Sequence, residues 1–177
     1  MLSSLSIEQK MLYQNGGQWQ AYPRYNYDGS SYCINRFVHS PKGYTNGLED
    51  CIAVLLHNDS DAYLYHLAPG VHKSDIAVTD MQKGIQETIA KLETNKKCSA
   101  VLVGGNSTKA SHMLYENISE ILKRNNIETQ EVLFAEGHKS IYYDLNKGIM
   151  ICEGIFDNIE DLKTEFEKVH ILDTKTL

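Results

Sequence analysis

Apolar positions along the chain fall into two rhythms. CIAVLLH, starting at Cys51, is continuous and of strand length, as expected for a strand buried on both faces. After the turn-forming HNDSDA, AYLYHLA predicts a second strand that pairs with it as a hairpin. CSAVLVGG is another buried run, ended by two glycines, and residues 32–38, YCINRFV, predict a further strand. ETQEVLFAEG, KSIYYDLNKG and IMICEGI add three more, divided by Gly or Asn-Lys-Gly turns. HSPKGYTNG, between the strand at 32–38 and Cys51, reads as turn chemistry. Helical spacing takes over elsewhere. Ser74 caps a helix carrying Ile76, Met81, Ile85, Ile89 and Leu92, with an acid in its first turn. Ser107 or Thr108 opens a second helix with Met113, Leu114, Ile118, Ile121 and Leu122 on one face. IEDLKTEFEKV predicts a final amphipathic helix, and residues 6–14 a short one. The order β-β-α-β-α-β-β-β-α describes an α/β domain: a layered mixed β-sheet with a sandwich-like core, flanked by helices.

Composition narrows the class. A chain of 177 residues suits one domain, 1–177, with a core large enough to need no disulfides. Residues 1–40 form an N-terminal extension, whose NGGQWQAYPRYNYDGSSY segment is irregular and packs its aromatics on the domain. Apolar content of 42% and charged content of 23% indicate a globular, soluble chain. A net charge of −6, with no run of Lys or Arg, argues against nucleic-acid binding. The N-terminus lacks a Sec-type signal and no run is long enough to span a membrane. The expected location is the cytoplasm. Cys33, Cys51, Cys98 and Cys152 are scattered without a CxxC pair and are expected to be reduced.

The candidate chemistry centres on TNGLEDC, residues 45–51. A thiol nucleophile needs a base that takes and returns its proton, and strands that neighbour one another can bring Cys51 and His66 together. Read singly, Cys51 is a small core residue, His66 a satisfied strand histidine and Thr45 a turn residue. Thr45, six residues before the cysteine, could orient the histidine through its hydroxyl or main-chain oxygen. Other groups point elsewhere only weakly. GGNSTK, residues 104–109, lacks the Walker spacing and reads as a packing turn. His57, His66 and His72 lack the spacing of a zinc site. Tyr63 and Tyr65 read as packing or site-wall residues, and EDLKTEFE as a solvated helix face.

Thr45-x-Gly47-Leu48-x-x-Cys51, followed by an apolar strand and His66, resembles the CheD family of chemoreceptor glutamine deamidases, which read T-x-G-L-G-S-C at this place. The resemblance runs from about residue 44 to 154. VLVGGN (101–106) looks like the family's strand ending in Gly-Gly, residues 112–129 are similar to its helix that ends before a strand, and GHKSIYYDLNKG (137–148) resembles its hairpin. The cytotoxic-necrotizing-factor toxins, a second branch of the superfamily, carry L-S-G-C and place cysteine and histidine at a separation similar to the fifteen residues here. The resemblance implies the CheD/CNF-like deamidase fold and a cysteine-dependent deamidase that converts one glutamine of a target protein to glutamate. Its catalytic residues would be Cys51, His66 and Thr45, its substrate and oxyanion region Leu48, Glu49 and Asp50, and it would need no cofactor and no metal. A bacterial toxin or effector, secreted into a host cytosol by a non-Sec route, is the favoured role, a chemotaxis deamidase the alternative, and a non-catalytic binding module on the same fold a further one. The chain departs from both branches at Glu49-Asp50, where they have small residues. Two carboxylates there narrow the approach and oppose the thiolate.

Overall fold

A computed structural model of the protein describes residues 20–21, 36–69, 75–94, 96–154, 160–161 and 164. Nine strands are defined among them: β1 (Gln20–Ala21), β2 (Arg36–His39), β3 (Lys42–Leu48), β4 (Ile52–His57), β5 (Ala62–Leu67), β6 (Ser99–Gly104), β7 (Glu128–Leu133), β8 (Lys139–Asp144) and β9 (Gly148–Glu153). Two helices, α1 (Asp75–Glu93) and α2 (Lys109–Arg124), flank β6 in the chain. The strands form two sheets, one of six in the order β1-β2-β5-β4-β6-β7 and one of three in the order β3-β8-β9. All neighbouring strands are antiparallel except β6 and β7, whose parallel pairing is made possible by the α2 crossover.

The unbroken apolar run of β4 follows from its place between two cores. Ile52, Val54 and Leu56 point to one side and join Tyr65, Leu67, Met81, Ile85, Ile89, Leu114, Ile118 and Leu122, which fill the space between the larger sheet and both helices. Ala53 and Leu55 point to the other side and meet Leu48, Leu64, Val101, Val103, Ile141 and Tyr143, which fill the space between the sheets. Period-two alternation is present, but both faces are apolar because both are covered. Each fully buried aliphatic side chain here contributes about 1.5–3 kcal/mol relative to exposure. The protein is therefore a layered α/β structure of helices, mixed sheet and second sheet.

The predicted strands at 51–57, 62–68, 98–105 and 128–153 and the two central helices are present. Four of the named positions on α1 (Met81, Ile85, Ile89, Leu92) and four on α2 (Leu114, Ile118, Ile121, Leu122) are buried. Thr108 caps α2, its hydroxyl accepting from Ser111 N. The strand expected at 32–38 is described from Arg36 and runs to His39. Within the proposed extension, Gln20–Ala21 and Arg36–His39 pair at the edge of the larger sheet. The helix at 6–14, the Ser74 cap and the aromatic segment before residue 32, apart from Gln20 and Ala21, lie outside the described residues. Of the last helix, Glu160, Asp161 and Thr164 are described and helical.

One expectation is overturned. HSPKGYTNG is not a turn: most of it is β3, which pairs with β8 from Lys42 to Leu48. The Asn46-Gly47 pair that suggests a turn instead falls where the register shifts between Thr45 and Leu48, with Gly47 at φ 72°. Asn-Gly supplies a bulge within a strand here, bending it without ending it.

The two sheets and α2 converge where β3 ends, β4 begins and β6 ends. Gly104 has φ 106°, and a Cβ there would stand 2.4 Å from the Cys51 carbonyl oxygen and 3.0 Å from Leu48 Cβ. Both the conformation and the close approach demand glycine. Gly104→Ala is expected to cost at least about 2 kcal/mol, read as a lower urea midpoint. An unchanged midpoint would show that the 48–51 loop yields freely to β6.

Candidate active site

Two strands in different sheets supply the central pair. On β5, Ala62, Leu64 and His66 alternate toward the inter-sheet core, so the histidine faces β3. On β3, Thr45 lies opposite Ile141 of β8, and its side chain is fully buried. Thr45 Oγ1 and His66 Nδ1 are 2.8 Å apart, a buried hydrogen bond that joins the two sheets. Thr45 is thus a strand residue, and not the turn residue its neighbours suggest. Ala53 is the β4 partner of His66 in register, and its small side chain leaves the imidazole room.

Cys51 lies two residues before Ala53, just ahead of β4, and packs at the margin of the same inter-sheet core. Strand alternation therefore puts Cys51 and His66 on one face of the larger sheet. The main chain here is clamped from the β6–α2 turn. Gly105 N donates to Cys51 O at 2.8 Å, and Ser111 Oγ donates to Asp50 O at 2.8 Å while accepting from Asn106 N at 3.1 Å. The GGNSTK segment is consequently a packing turn whose Gly105 amide is engaged by the loop bearing Cys51. Phe134, at φ 57°, donates its backbone N–H to Gly104 O, lays its ring against Gly105 and stacks on His112 at a centroid distance of 4.1 Å.

Electrostatics divide the residues by depth. Burial pushes the His66 pKa down to about 4, against an opposing pull from the Asp50 carboxylate, so the imidazole is neutral at neutral pH. Glu49 and Asp50 are exposed. Asp50 Oδ1 accepts from the Cys51 thiol at 3.4 Å, and Glu49 lies 3.8 Å from His138 Nε2. Leu48 is buried beneath them and opposite Lys139 in register. Among the described cysteines the others are placed differently. Cys98, whose thiol pKa burial raises to about 11, precedes the far end of β6 and bonds Ser99 O. Cys152 is on β9 and bonds Ser140 O. Cys33 and His72 lie outside the described residues. His57 stands at the opposite end of β4 from Cys51. Among the described residues, no group of three His, Cys, Asp or Glu side chains could hold a metal ion, and no helix is long and apolar enough to cross a membrane.

The family resemblance singles out Thr45, Cys51, His66, Leu48, Glu49 and Asp50, and all six lie at or near this convergence of the sheets. Ser111 and Phe134 were missed. Ser111 carried a signal, since it sits three positions before Leu114 on the apolar stripe of α2, where a buried hydroxyl must find a partner. Phe134 carried none, because its left-handed backbone is set by contact with Gly104 and Gly105.

The buried imidazole makes stability depend on pH. In the unfolded chain His66 binds a proton below about 6.5, whereas in the fold it does so only near pH 4. The unfolded state therefore holds more protons across that window, and stability declines as pH drops from about 6.5 toward 4, by up to about 1.4 kcal/mol per unit. Above the window this contribution is fully present. His66→Gln should flatten the slope, as measured by urea unfolding at a series of pH values; equal slopes in the two proteins would contradict a neutral buried imidazole. No protein-family model matches this sequence, and no curated protein matches it.

Proposed function

We propose that the protein is a cysteine-dependent protein-glutamine deamidase with the CheD/CNF-like arrangement of catalytic groups. The observation that carries this reading is the buried 2.8 Å Thr45–His66 hydrogen bond, on the face of the sheet that Cys51 also borders. A third polar group that fixes one ring nitrogen of a histidine leaves the other nitrogen to serve a nucleophile. With His66 Nδ1–H donating to Thr45 Oγ1, Nε2 carries the lone pair.

In this reading the reaction starts from a neutral thiol and a neutral imidazole. His66 Nε2 takes the Cys51 proton, and the sulfur attacks the carbon of the glutamine amide. The tetrahedral intermediate collapses as His66 returns that proton to the departing ammonia, leaving a thioester on Cys51. Water, deprotonated by His66, adds to the thioester; the C–S bond breaks, glutamate is released and the thiol regains its proton. Main-chain groups of the Leu48–Cys51 loop, held against Gly104 and Gly105, provide the rigid rim on which the amide is oriented. The target gains one negative charge on its surface, sufficient to disturb an interface that used the glutamine.

The fifteen-residue separation of Cys51 and His66 favours the toxin or effector branch over the chemotaxis branch, and so a target in a host protein. Ammonia release and intact mass, with host-cell extract and with chemoreceptor cytoplasmic fragments as alternative substrates, test the reading. The wild type should convert Gln to Glu in one of them, Cys51→Ser should abolish the conversion, and Thr45→Val should lower its rate by about tenfold or more. Equal ammonia release from wild type and Cys51→Ser, or none from either, sinks the deamidase in favour of a binding module.

A further inference from the structure

The carboxylate that departs from the family pattern sits on the nucleophile itself. Asp50 is exposed, its main-chain oxygen is fixed by Ser111 Oγ at 2.8 Å, and its Oδ1 accepts the Cys51 S–H at 3.4 Å. Among the described residues, no Lys, Arg or His forms an ion pair with it. Its neighbour Glu49 is exposed and has His138 at 3.8 Å. Among the described residues, other titratable groups at this end of the sheets are His66 on β5, His112 on α2, and Lys139 at the start of β8, whose Nζ is already engaged by Glu136 O and Glu153. The thiol thus meets a carboxylate acceptor on its solvent side, and the neutral imidazole of His66 lies on the same face of the sheet. A carboxylate that accepts an S–H bond favours the thiol over the thiolate.

We propose that Asp50 is a positioning residue that holds the Cys51 thiol protonated until a cationic side chain of the target pairs with its carboxylate, so that the protein acts on glutamines flanked by Lys or Arg. This rests on the deamidase reading. Pairing with the cation draws the carboxylate off the sulfur, the S–H turns to His66 Nε2, and the proton passes to the imidazole as the sulfur attacks. Resting protection and target choice are then one device. Without the flanking cation the nucleophile stays a poorly reactive thiol, which also guards it against oxidation.

Charged thiol reagents read the local field without any deamidation. Cationic (trimethylammonium) and anionic (sulfonate) methanethiosulfonates each form a mixed disulfide with Cys51 and release methanesulfinate, and peptide mapping reports the rate at Cys51 alone. The wild type is expected to react about tenfold faster with the cationic reagent than with the anionic one. Asp50→Asn should bring the ratio near unity and move the reactivity midpoint to lower pH; Asp50→Glu should keep most of the preference. In peptide substrates, Lys beside the glutamine should be favoured over Glu by the wild type and not by Asp50→Asn. A reagent ratio and pH midpoint identical in wild type and Asp50→Asn overturn the proposal even if ammonia release is intact. Loss of the deamidase reading shows separately, as ammonia release that does not depend on Cys51.

Discussion

The architecture turns on the close approach of β6 to the loop that carries Cys51. Gly104 fits only because it has no side chain, Gly105 donates to the Cys51 carbonyl, and Ser111 holds the Asp50 carbonyl from the first turn of α2. Through these contacts β6, the turn after it and the start of α2 fix the two consecutive carbonyls of Asp50 and Cys51. The clamp grips main-chain atoms and makes no demand on the side chains of Glu49 and Asp50.

Depth then sorts the groups. Thr45 and His66 lie in the apolar layer between sheets, where a hydrogen bond is strong and an unmet polar atom is costly. Each is tolerable there because of the other. The carboxylates stand in solvent above them, where water screens their charge, yet Asp50 still reaches the sulfur and still bears on the imidazole. The result is a neutral imidazole, bonded to Thr45, beneath an anionic rim.

Much of this was legible in the sequence, for identifiable reasons. β4, β5 and β6 announce themselves because both of their faces are covered and their apolar runs are continuous. Helices α1 and α2 do so because one stripe of each is buried. Thr45, Cys51 and His66 could be grouped because their spacing matches an ordered motif. What stayed hidden depends on partners distant in the chain. The strand character of Lys42–Leu48 comes from pairing with β8, while its own Lys-Gly and Asn-Gly steps advertise a turn. That strands fall into two sheets and not one is likewise a matter of which strand finds which. Ser111 is legible in principle as a hydroxyl on an apolar stripe, and Phe134 is not legible at all.

The pairing of β3 with β8 has a consequence for how the protein is made. Tyr143 Oη donates to Ser40 O across 103 positions of sequence, and Thr45 meets Ile141 over a similar span. On the ribosome the central hairpin of β4 and β5 can form soon after it emerges, but β3 must wait with an unpaired backbone until β8 is synthesised. The Thr45–His66 bond closes only then. A half-made chain therefore carries the cysteine but not the buried pair beside it, and any activity that depends on all three arrives late, with the completed second sheet.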